Sequence, residues 1–214
     1  MELKGEPLSD QWFENRKGKI TASRFNDVLH GTPTGWRRLL GEMDGSVMGF
    51  RGNAATEWGT NHEQEAIDLF AFEEGLDVTP TGFWIMDDHP FIGGTPDGLI
   101  GTDSTIQVKC PFNPEVHLKT FREQKIPSKY LAQVQGELMV TGRSFVWFVS
   151  YDPRASVAQR LVKIIIPRNE NYIDALLGRL IKFWECFEGF RNPEEYFITA
   201  PKIDIVNDKI PKLF

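Results

Sequence analysis

A tight turn, Gly94-Thr95-Pro96-Asp97-Gly98, is followed by an apolar stretch that ends in Lys109-Cys110-Pro111. The pattern predicts a strand at residues 105–109 that lies antiparallel to the segment leaving Asp97. Alternation along this strand places Gln107 and Lys109 on one face. An isolated Pro-Asp-Gly most often forms a turn whose aspartate bonds its own backbone. The lysine at the end of the neighbouring strand favours a functional site instead.

The oxygen atoms of this group suit a hard divalent cation, because Asp97 offers a carboxylate and Gln107 a neutral carbonyl oxygen. Glu63 lies four residues before Ile67 and seven before Phe70, on the inward stripe of a predicted helix at residues 55–75. An acid that faces the core needs a partner or a metal. An exposed acid near a helix N-terminus is equally ordinary, so the pattern of the helix alone leaves both interpretations open.

The order of elements predicts an α/β sandwich around one mixed sheet flanked by helices, built as a single domain over residues 1–214. Within it we expect N-terminal helices and a Gly-rich arch at residues 1–54, a core at about 55–168, and a C-terminal helix and tail at 169–214. The predicted arch covers residues 31–53 and includes one short amphipathic piece from Trp36 to Met43, and the tail beyond Pro193 is expected to be irregular. The stretch Phe145–Tyr151 is apolar on both faces, which predicts a central strand.

Composition narrows the class of protein. The chain has 214 residues, a net charge of −6 and two cysteines, too few for a disulfide framework or a four-thiolate metal cluster. We find no stretch long enough to span a membrane and no signal peptide, and we expect a cytoplasmic protein. Six basic residues and one acid occur from Arg16 to Arg38, whereas eleven acids and no Lys or Arg occur from Gly52 to Val108. Such blocks are either two ordinary solvated faces or a phosphate-binding segment beside a cation-binding segment.

Taken together, the motifs resemble one family: the phage exonucleases similar to bacteriophage lambda exonuclease, or YqaJ-type viral recombinases, of the PD-(D/E)XK nuclease superfamily. The matching segments follow in order Trp12 with Arg16, Ile20-Thr21-Ala22-Ser23, Trp58-Gly59 with Glu63, Thr95-Pro96-Asp97-Gly98-Leu99, Val108-Lys109-Cys110-Pro111-Phe112, Ala132-Gln133-Val134-Gln135 and Tyr151-Asp152-Pro153-Arg154. Each segment is weak evidence alone, but the ordered set is specific. The resemblance implies a restriction-endonuclease-like core.

The same resemblance implies a magnesium-dependent 5′-to-3′ exonuclease that processively digests one strand of double-stranded DNA and leaves 3′ overhangs. Carried over by position, Asp97, Glu63, residue 107 and the Val108 carbonyl would bind Mg²⁺, with Mn²⁺ as a substitute, and Lys109 would orient or deprotonate water. Arg16, Ser23 and Gln133 would hold the 5′-phosphate of a DNA end. The resemblance also implies a homotrimeric ring, a single-strand annealing protein as partner, and the cytoplasm of a bacterial host.

Two positions depart from the family pattern. Gln107 stands where a glutamate is expected, so we expect impaired turnover. It is either a change introduced to keep metal and DNA bound without cleavage, which the otherwise intact motifs favour, or a natural Gln-X-Lys variant. In the second case the alternative function is an inactive clamp that binds DNA ends and recruits an annealing protein. Glu115 falls where a phosphate-binding arginine is expected, so that contact is absent or is supplied by His117 or Lys119.

Overall fold

The computed structural model of the protein describes residues 1–5, 9–49 and 52–199. The helices in this part of the chain are α1 (Asp10–Arg16), α2 (Phe25–Leu29), α3 (Pro33–Asp44), α4 (Ala54–Glu74), α5 (Pro114–Glu123), α6 (Leu131–Thr141), α7 (Glu170–Phe187) and α8 (Pro193–Thr199). The strands are β1 (Glu2–Leu3), β2 (Ile20–Thr21), β3 (Phe83–Ile85), β4 (Ile92–Gly94), β5 (Gly98–Ile100), β6 (Ser104–Lys109), β7 (Phe145–Tyr151) and β8 (Leu161–Pro167). Short 3₁₀ turns at Ala22–Arg24 and Ser128–Tyr130 precede α2 and α6.

The strands form two mixed four-stranded sheets, with orders β1-β3-β4-β2 and β5-β6-β7-β8. The predicted α/β class is confirmed, but the sequence predicted one sheet where the described residues form two. The chain crosses from the first sheet to the second through residues 95–97. Pro96 has no N–H to donate to a neighbouring strand, so the hydrogen-bonded ladder of β4 ends there and β5 begins in the other sheet. Asp97 therefore lies where the two sheets meet.

The second sheet is covered by α4 on one face and α6 on the other. Ala66, Ile67 and Phe70 of α4 pack in one buried cluster with Ile106 and Val108 of β6. A second cluster joins Val134 and Leu138 of α6 to Val146 and Phe148 of β7 and Ile166 of β8. The predicted central position of Phe145–Tyr151 is confirmed, because β7 pairs in parallel with β6 and antiparallel with β8.

The register of β6 fixes which face each of its side chains occupies. Gln107 lies opposite Phe148 of β7, and residues paired across strands share one face of a sheet. Since Phe148 packs against α6, Gln107 lies on the face that α6 covers. Lys109 follows two residues later and shares this face. The predicted alternation of β6 is thus observed, and it directs the polar pair towards α6.

Two segments are more regular than the sequence predicted. The predicted arch contains the twelve-residue helix α3, capped by the Thr32 hydroxyl, and Trp36 of this helix is fully buried. The tail beyond Pro193 begins with the helix α8, whose Tyr196 stacks on Trp36 at 5.2 Å between ring centroids. The Arg179 guanidinium lies 4.5 Å from the centroid of the Trp36 ring. These aromatic contacts are distant in sequence, so local periodicity could not show them; residues 200–214 of the predicted tail lie outside the described part of the chain.

In the described residues, no helix is both long enough and apolar enough to cross a membrane.

Candidate active site

The Asp97 carboxylate is held by groups from β6. Its Oδ2 atom accepts hydrogen bonds from Nε2 of Gln107 at 2.5 Å and from the backbone N–H of Val108 at 2.7 Å. The Asp97 N–H donates in turn to the Ile106 carbonyl. The turn and the strand are therefore locked in register, and the acid at the turn is positioned by the strand that carries the lysine.

Gln107 is 1% exposed, and only the nitrogen of its side-chain amide has a hydrogen-bond partner among the described residues. A carboxylate can only accept hydrogen bonds, so the amide nitrogen must face Asp97 and the amide oxygen must point away. That oxygen is buried and has no hydrogen-bond partner among the residues that the structure describes. A buried acceptor without a partner is costly. A cation beside Asp97 would satisfy this oxygen after rotation of the amide.

Glu63 and Lys109 complete the charge pattern around Asp97. Glu63 is exposed to solvent, but partial loss of hydration and the charge of Asp97 still raise the pKa of its carboxyl to about 7, and the charge of Lys109 opposes this rise. Burial also raises the pKa of Asp97, while Lys109 and the hydrogen bonds from Val108 and Gln107 lower it. The Lys109 ammonium lies 5.4 Å from the centroid of the Tyr130 ring. Both acids resist ionisation unless a cation joins them.

The donors around Asp97 fit a hard cation through a mixed set of oxygens. Among the described residues, no three His, Cys, Asp or Glu side chains converge closely enough to hold a metal ion by themselves. Asp97 and Glu63 supply carboxylates, and the unpartnered oxygen of Gln107 supplies a neutral donor. Carbonyl and water oxygens complete the coordination of Mg²⁺ in many protein sites. Val108 meets Asp97 through its N–H, so only its carbonyl is available for the predicted role.

Arg16, predicted to hold a phosphate, is linked to the Asp97 turn by two contacts. Its guanidinium lies 4.1 Å from the centroid of the Trp12 ring and 5.6 Å from that of Phe83. The Trp12 indole N–H donates to the Thr95 hydroxyl at 3.2 Å, two residues before Asp97. Burial lowers the pKa of Arg16 to about 10. No carboxylate of the described residues forms an ion pair with Arg16, so its charge is left for an anion.

Ser23 and Gln133, the other predicted phosphate residues, lie on two elements that flank β4. Ser23 is exposed on the 3₁₀ turn before α2, and its hydroxyl lies 3.2 Å from that of Thr21. Ala22 beside it packs on Gly94, where an added Cβ would lie 2.9 Å from the alanine methyl group. Gln133 lies on α6, next to the same strand. β4 thus runs between Ser23 and Gln133, the two residues predicted to bind phosphate, and leads to the Asp97 turn.

Sequence reasoning missed Glu137, which is fully buried on α6. Its Oε1 atom accepts a hydrogen bond of 2.9 Å from Nε2 of Gln133, and its Oε2 atom is buried without a partner in the described part of the chain. Burial, with a smaller contribution from the charge of Asp97, raises the pKa of Glu137 well above its ordinary value. The signal that could have found it is an acid four residues after Gln133 in a helix that is otherwise mostly apolar.

The Tyr151-Asp152-Pro153-Arg154 motif supports the turn after Lys109. Arg154 donates to both oxygens of the buried Asp152 and to the carbonyls of Pro111 and Phe112. Its guanidinium also lies 4.3 Å from the centroid of the Trp58 ring. The motif therefore clamps the Pro111-Phe112 turn against the start of α4, at the end of the strand that carries Lys109.

Glu115, His117 and Lys119, which lie near the position where the family pattern has an arginine, have different environments. His117 is fully buried and bonds the Ser150 hydroxyl and the Gln159 carbonyl, so the suggestion that it contacts phosphate is wrong. Glu115 pairs with Arg122 at 3.5 Å on α5. Lys119 is exposed and lies 3.9 Å from Glu123, so of the two suggested substitutes only Lys119 is accessible to DNA.

Residues 11–144, more than half of the chain, match the family model of the YqaJ-like viral recombinase domain. This stretch contains Arg16, Asp97, Lys109 and Gln133. The uncharacterized protein R354 of Acanthamoeba polyphaga mimivirus is 25% identical over 151 residues, which cover 64% of this chain and 27% of that protein. The chain thus spans about a quarter of the length of this viral relative.

Solved structures with the same fold include an alkaline exonuclease from Laribacter hongkongensis, LHK-Exo. It superimposes with a TM-score of 0.78 in two crystal structures, one of them in complex with dAMP. The identities are 29% and 28%; the matches cover 87% and 89% of this chain and 95% and 97% of the exonuclease. A phage-related exonuclease from Haemophilus somnus 129PT has a TM-score of 0.66, 19% identity and coverage of 80% and 94%, a likeness of fold alone.

Proposed function

Because this chain belongs to the YqaJ-like viral recombinase domain family, we propose that it is a magnesium-dependent 5′-to-3′ exonuclease acting on double-stranded DNA. In this proposal it processively digests one strand from a 5′-phosphorylated end and leaves a 3′ overhang for a single-strand annealing protein. The acting unit is a homotrimer. The observation that carries the proposal is the group formed by Asp97, Gln107 and Lys109 beside Arg16, a cation with no acidic partner among the described residues.

The metal would be held by Asp97, Glu63, the Gln107 oxygen and the Val108 carbonyl. When bound, a divalent cation supplies Lewis-acid activation for an in-line displacement at a phosphodiester. The raised pKa of Glu63 supports this assignment, since an acid that resists ionisation gains most from a cationic partner. With an amide in place of a carboxylate at position 107, the site carries one less negative charge, and we propose that turnover is reduced for this reason.

Lys109 would act on the attacking water. It shares a face of β6 with Gln107, and its charge acts on both Asp97 and Glu63. An ammonium in this position can orient a water molecule or stabilise the negative charge that develops on the phosphoryl oxygens. The neighbouring ring of Tyr130 restricts where the ammonium can move. Lys109 is therefore the residue assigned to proton handling.

Arg16, Ser23 and Gln133 would set the polarity of digestion by holding the terminal 5′-phosphate. A terminal phosphate carries more charge than an internal diester, and an arginine can bind it through two parallel hydrogen bonds. The link from Arg16 through Trp12 to Thr95 keeps this anchor next to the Asp97 turn. The dAMP bound to LHK-Exo is a nucleoside monophosphate, the class of product that the proposed reaction releases.

The proposal is tested by incubating 5′-phosphorylated duplex DNA with Mg²⁺ and following the release of mononucleotides. We expect slow release by the unaltered chain and faster release by Gln107→Glu, both abolished by Asp97→Asn. Early release of a label from the 3′ end of a strand, while a label at the 5′ end is retained, would contradict the proposed polarity. Sedimentation of the protein with and without DNA gives the mass of the assembly and so tests whether it is a trimer.

A second function is favoured by one observation, the hydrogen bond between Gln107 and Asp97. This bond gives Asp97 a neutral partner without metal, as suits a natural inactive clamp that binds DNA ends and recruits an annealing protein. If the clamp is correct, Gln107→Glu remains inactive with Mg²⁺ while end binding persists. Activity of Gln107→Glu would exclude it.

A further inference from the structure

Glu137 is the most deeply buried acid near the candidate active site, and no role in the proposed reaction is yet assigned to it. It is fully enclosed between α6 and the sheets, and no described residue forms a hydrogen bond with its Oε2 atom. A buried carboxyl oxygen without a partner costs about 1–3 kcal/mol. Its other oxygen is occupied by Gln133. A structural role alone leaves the free oxygen unexplained.

The Glu137 side chain lies beside the strand that leads to the Asp97 turn. The Cγ atom of Glu137 passes over Gly94, 3.5 Å from where a Cβ would stand on that residue. Gly94 ends β4, three residues before Asp97. Asp97 and Lys109 are the charged residues that act on the Glu137 carboxyl. The side chain thus lies against the end of β4, close enough to Asp97 for the charge of that acid to act on the Glu137 carboxyl.

Gln107 presents a second unpartnered oxygen on the same side of the sheet. The register with Phe148 places Gln107 on the face that α6 covers, and α6 carries Glu137. Both free atoms are oxygens, and both are buried. Two acceptors cannot satisfy each other unless a proton or a cation lies between or beside them. In the metal-free protein a proton on Glu137 meets this need for its own carboxyl, and a divalent cation beside Asp97 would meet it for both oxygens.

We propose that Glu137 supplies the negative charge that residue 107 lacks, and that its free oxygen helps to hold the cation bound at Asp97. The inference rests on the metal-dependent function proposed above. Asp97, Glu63 and Glu137 give the site three carboxylates. Asp97, Glu63 and a glutamate at position 107 would give the same number.

Glu137 acts on the hydrated ion rather than as an inner ligand. No three acidic, His or Cys side chains of the described residues converge on one point, which excludes a compact three-carboxylate cage. Mg²⁺ gives up its water reluctantly and keeps several water molecules in protein sites. A carboxylate one shell away can accept their hydrogen bonds. Through Gln133, the same side chain also connects the cation to the predicted phosphate anchor.

The test is a double-mutant cycle on metal affinity in the full chain. Isothermal titration with Mn²⁺ compares the unaltered chain, Glu137→Gln, Gln107→Glu and the double variant. We expect Glu137→Gln to weaken binding about tenfold in the unaltered chain and less than about threefold beside Gln107→Glu, where the charge is already present. Glu74→Gln, at the far end of α4, is the matched control for loss of one acid and is expected to leave affinity unchanged.

Folding is monitored by thermal unfolding, and Glu137→Asp is the second variant. It keeps the charge but shortens its reach, so its affinity should lie between those of the unaltered chain and Glu137→Gln. Equal affinity of the unaltered chain, Glu137→Gln and Glu137→Asp overturns the inference, as does an equal loss in both backgrounds. If neither the unaltered chain nor Gln107→Glu binds Mn²⁺, the proposed metal-dependent function fails, and the inference fails with it.

Discussion

The amide nitrogen of Gln107 lies 2.5 Å from Oδ2 of Asp97, so an uncharged side chain occupies the oxygen that a cation would otherwise bind. The hydrogen bond neutralises no charge, but it positions the acid and connects the turn to β6. Metal entry at this oxygen requires the amide to rotate and present its own oxygen. The hydrogen bond from Gln107 thus competes with a cation for this oxygen of Asp97, although it leaves the Gln107 oxygen without a partner among the described residues.

Replacing Gln107 with glutamate should reverse this balance. Without metal, Gln107→Glu loses the hydrogen bond and places a second acid beside Asp97, so we expect a loss of about 1–3 kcal/mol in the free energy of unfolding at pH 7. Mn²⁺ should bind several-fold more tightly and recover that loss. Thermal unfolding with and without Mn²⁺ measures both effects; unchanged melting in metal-free buffer would contradict them.

Lys109→Ala in a Gln107→Glu background should reduce hydrolysis by at least about 100-fold while duplex binding survives, because the ammonium acts mainly in the transition state. The matched control is Lys129→Ala. Lys129 also lies against Tyr130, with its ammonium 4.7 Å from the ring centroid. Single-turnover rates on 5′-phosphorylated duplex compare the two variants. If both variants lost a similar fraction of the hydrolysis rate, the loss would be due to removal of any positive charge near Tyr130 and not to a specific role of Lys109.

Arg16→Ala, again with Gln107→Glu, should lose most of the preference for 5′-phosphorylated over 5′-hydroxyl ends. A hydrogen bond to a charged group contributes about 1.5–3 kcal/mol, so the ratio of initial rates should fall by roughly tenfold or more. Arg38→Ala is the control, since Arg38 is exposed and paired with Glu42. Salt must be held constant, because phosphate contacts weaken steeply with ionic strength. An unaltered ratio would place the phosphate pocket elsewhere.

Metal affinity should depend on pH through Glu63. Its pKa is raised from 4.5 to about 7, so between these values the folded protein holds a proton that the unfolded chain has released. The stability of the metal-free protein should therefore fall as pH rises through this window. A cation competes with the same proton, so Mn²⁺ affinity should rise with pH and level off above about 7. Glu63→Gln should weaken this dependence in calorimetric titrations without abolishing it, because burial also raises the pKa of Asp97.

Arg154→Ala should destabilise the turn after Lys109, because it leaves the buried carboxylate of Asp152 unpaired. Since Arg154 is itself partly exposed, we expect about 1–3 kcal/mol, less than for a fully buried pair. Burial opposes ionisation of Asp152, but the hydrogen bonds from Arg154 lower its pKa. This stabilisation is present above the ordinary aspartate pKa and is lost as pH falls through the lowered value.

Arg122→Ala is the control for Arg154→Ala in urea unfolding. Its exposed pair with Glu115 should contribute less than about 1 kcal/mol. Equal losses for the two arginines would show that the Tyr151–Arg154 motif does not clamp the turn.

Much of this architecture could be predicted because its signals are local. The long helix α4 has apolar residues at helical spacing, and its predicted end at Gly75 is the left-handed cap that the structure contains. The turn at Asp97 and the alternation of β6 follow from Pro, Gly and a period of two. These features depend on neighbours within a few residues, which is the range that sequence patterns describe.

The parts that sequence reasoning missed depend on contacts distant along the chain. Glu137 resembles a polar interruption of an apolar helix until the sheet register places Gln107 beneath the same helix. His117 resembles a solvated residue after a Pro-rich bend, but it is buried and bonds the Ser150 hydroxyl and the Gln159 carbonyl, 33 and 42 residues later in the chain. The burial of Trp36 needs α7 and α8, which come about 150 residues later. Such pairings are set by topology and cannot be inferred from periodicity.

The hydrogen bond from Trp12 to Thr95 ties Arg16, the proposed phosphate anchor, to the turn that carries Asp97 of the proposed reaction centre. Thr95 and Asp97 are two residues apart, at most about 7 Å along an extended chain. A DNA end held by Arg16 would thus meet the reactive acids at a fixed offset, whatever its sequence. The distance between the bound DNA end and these acids would then be set by the geometry of the protein, and it would be the same whichever base is removed.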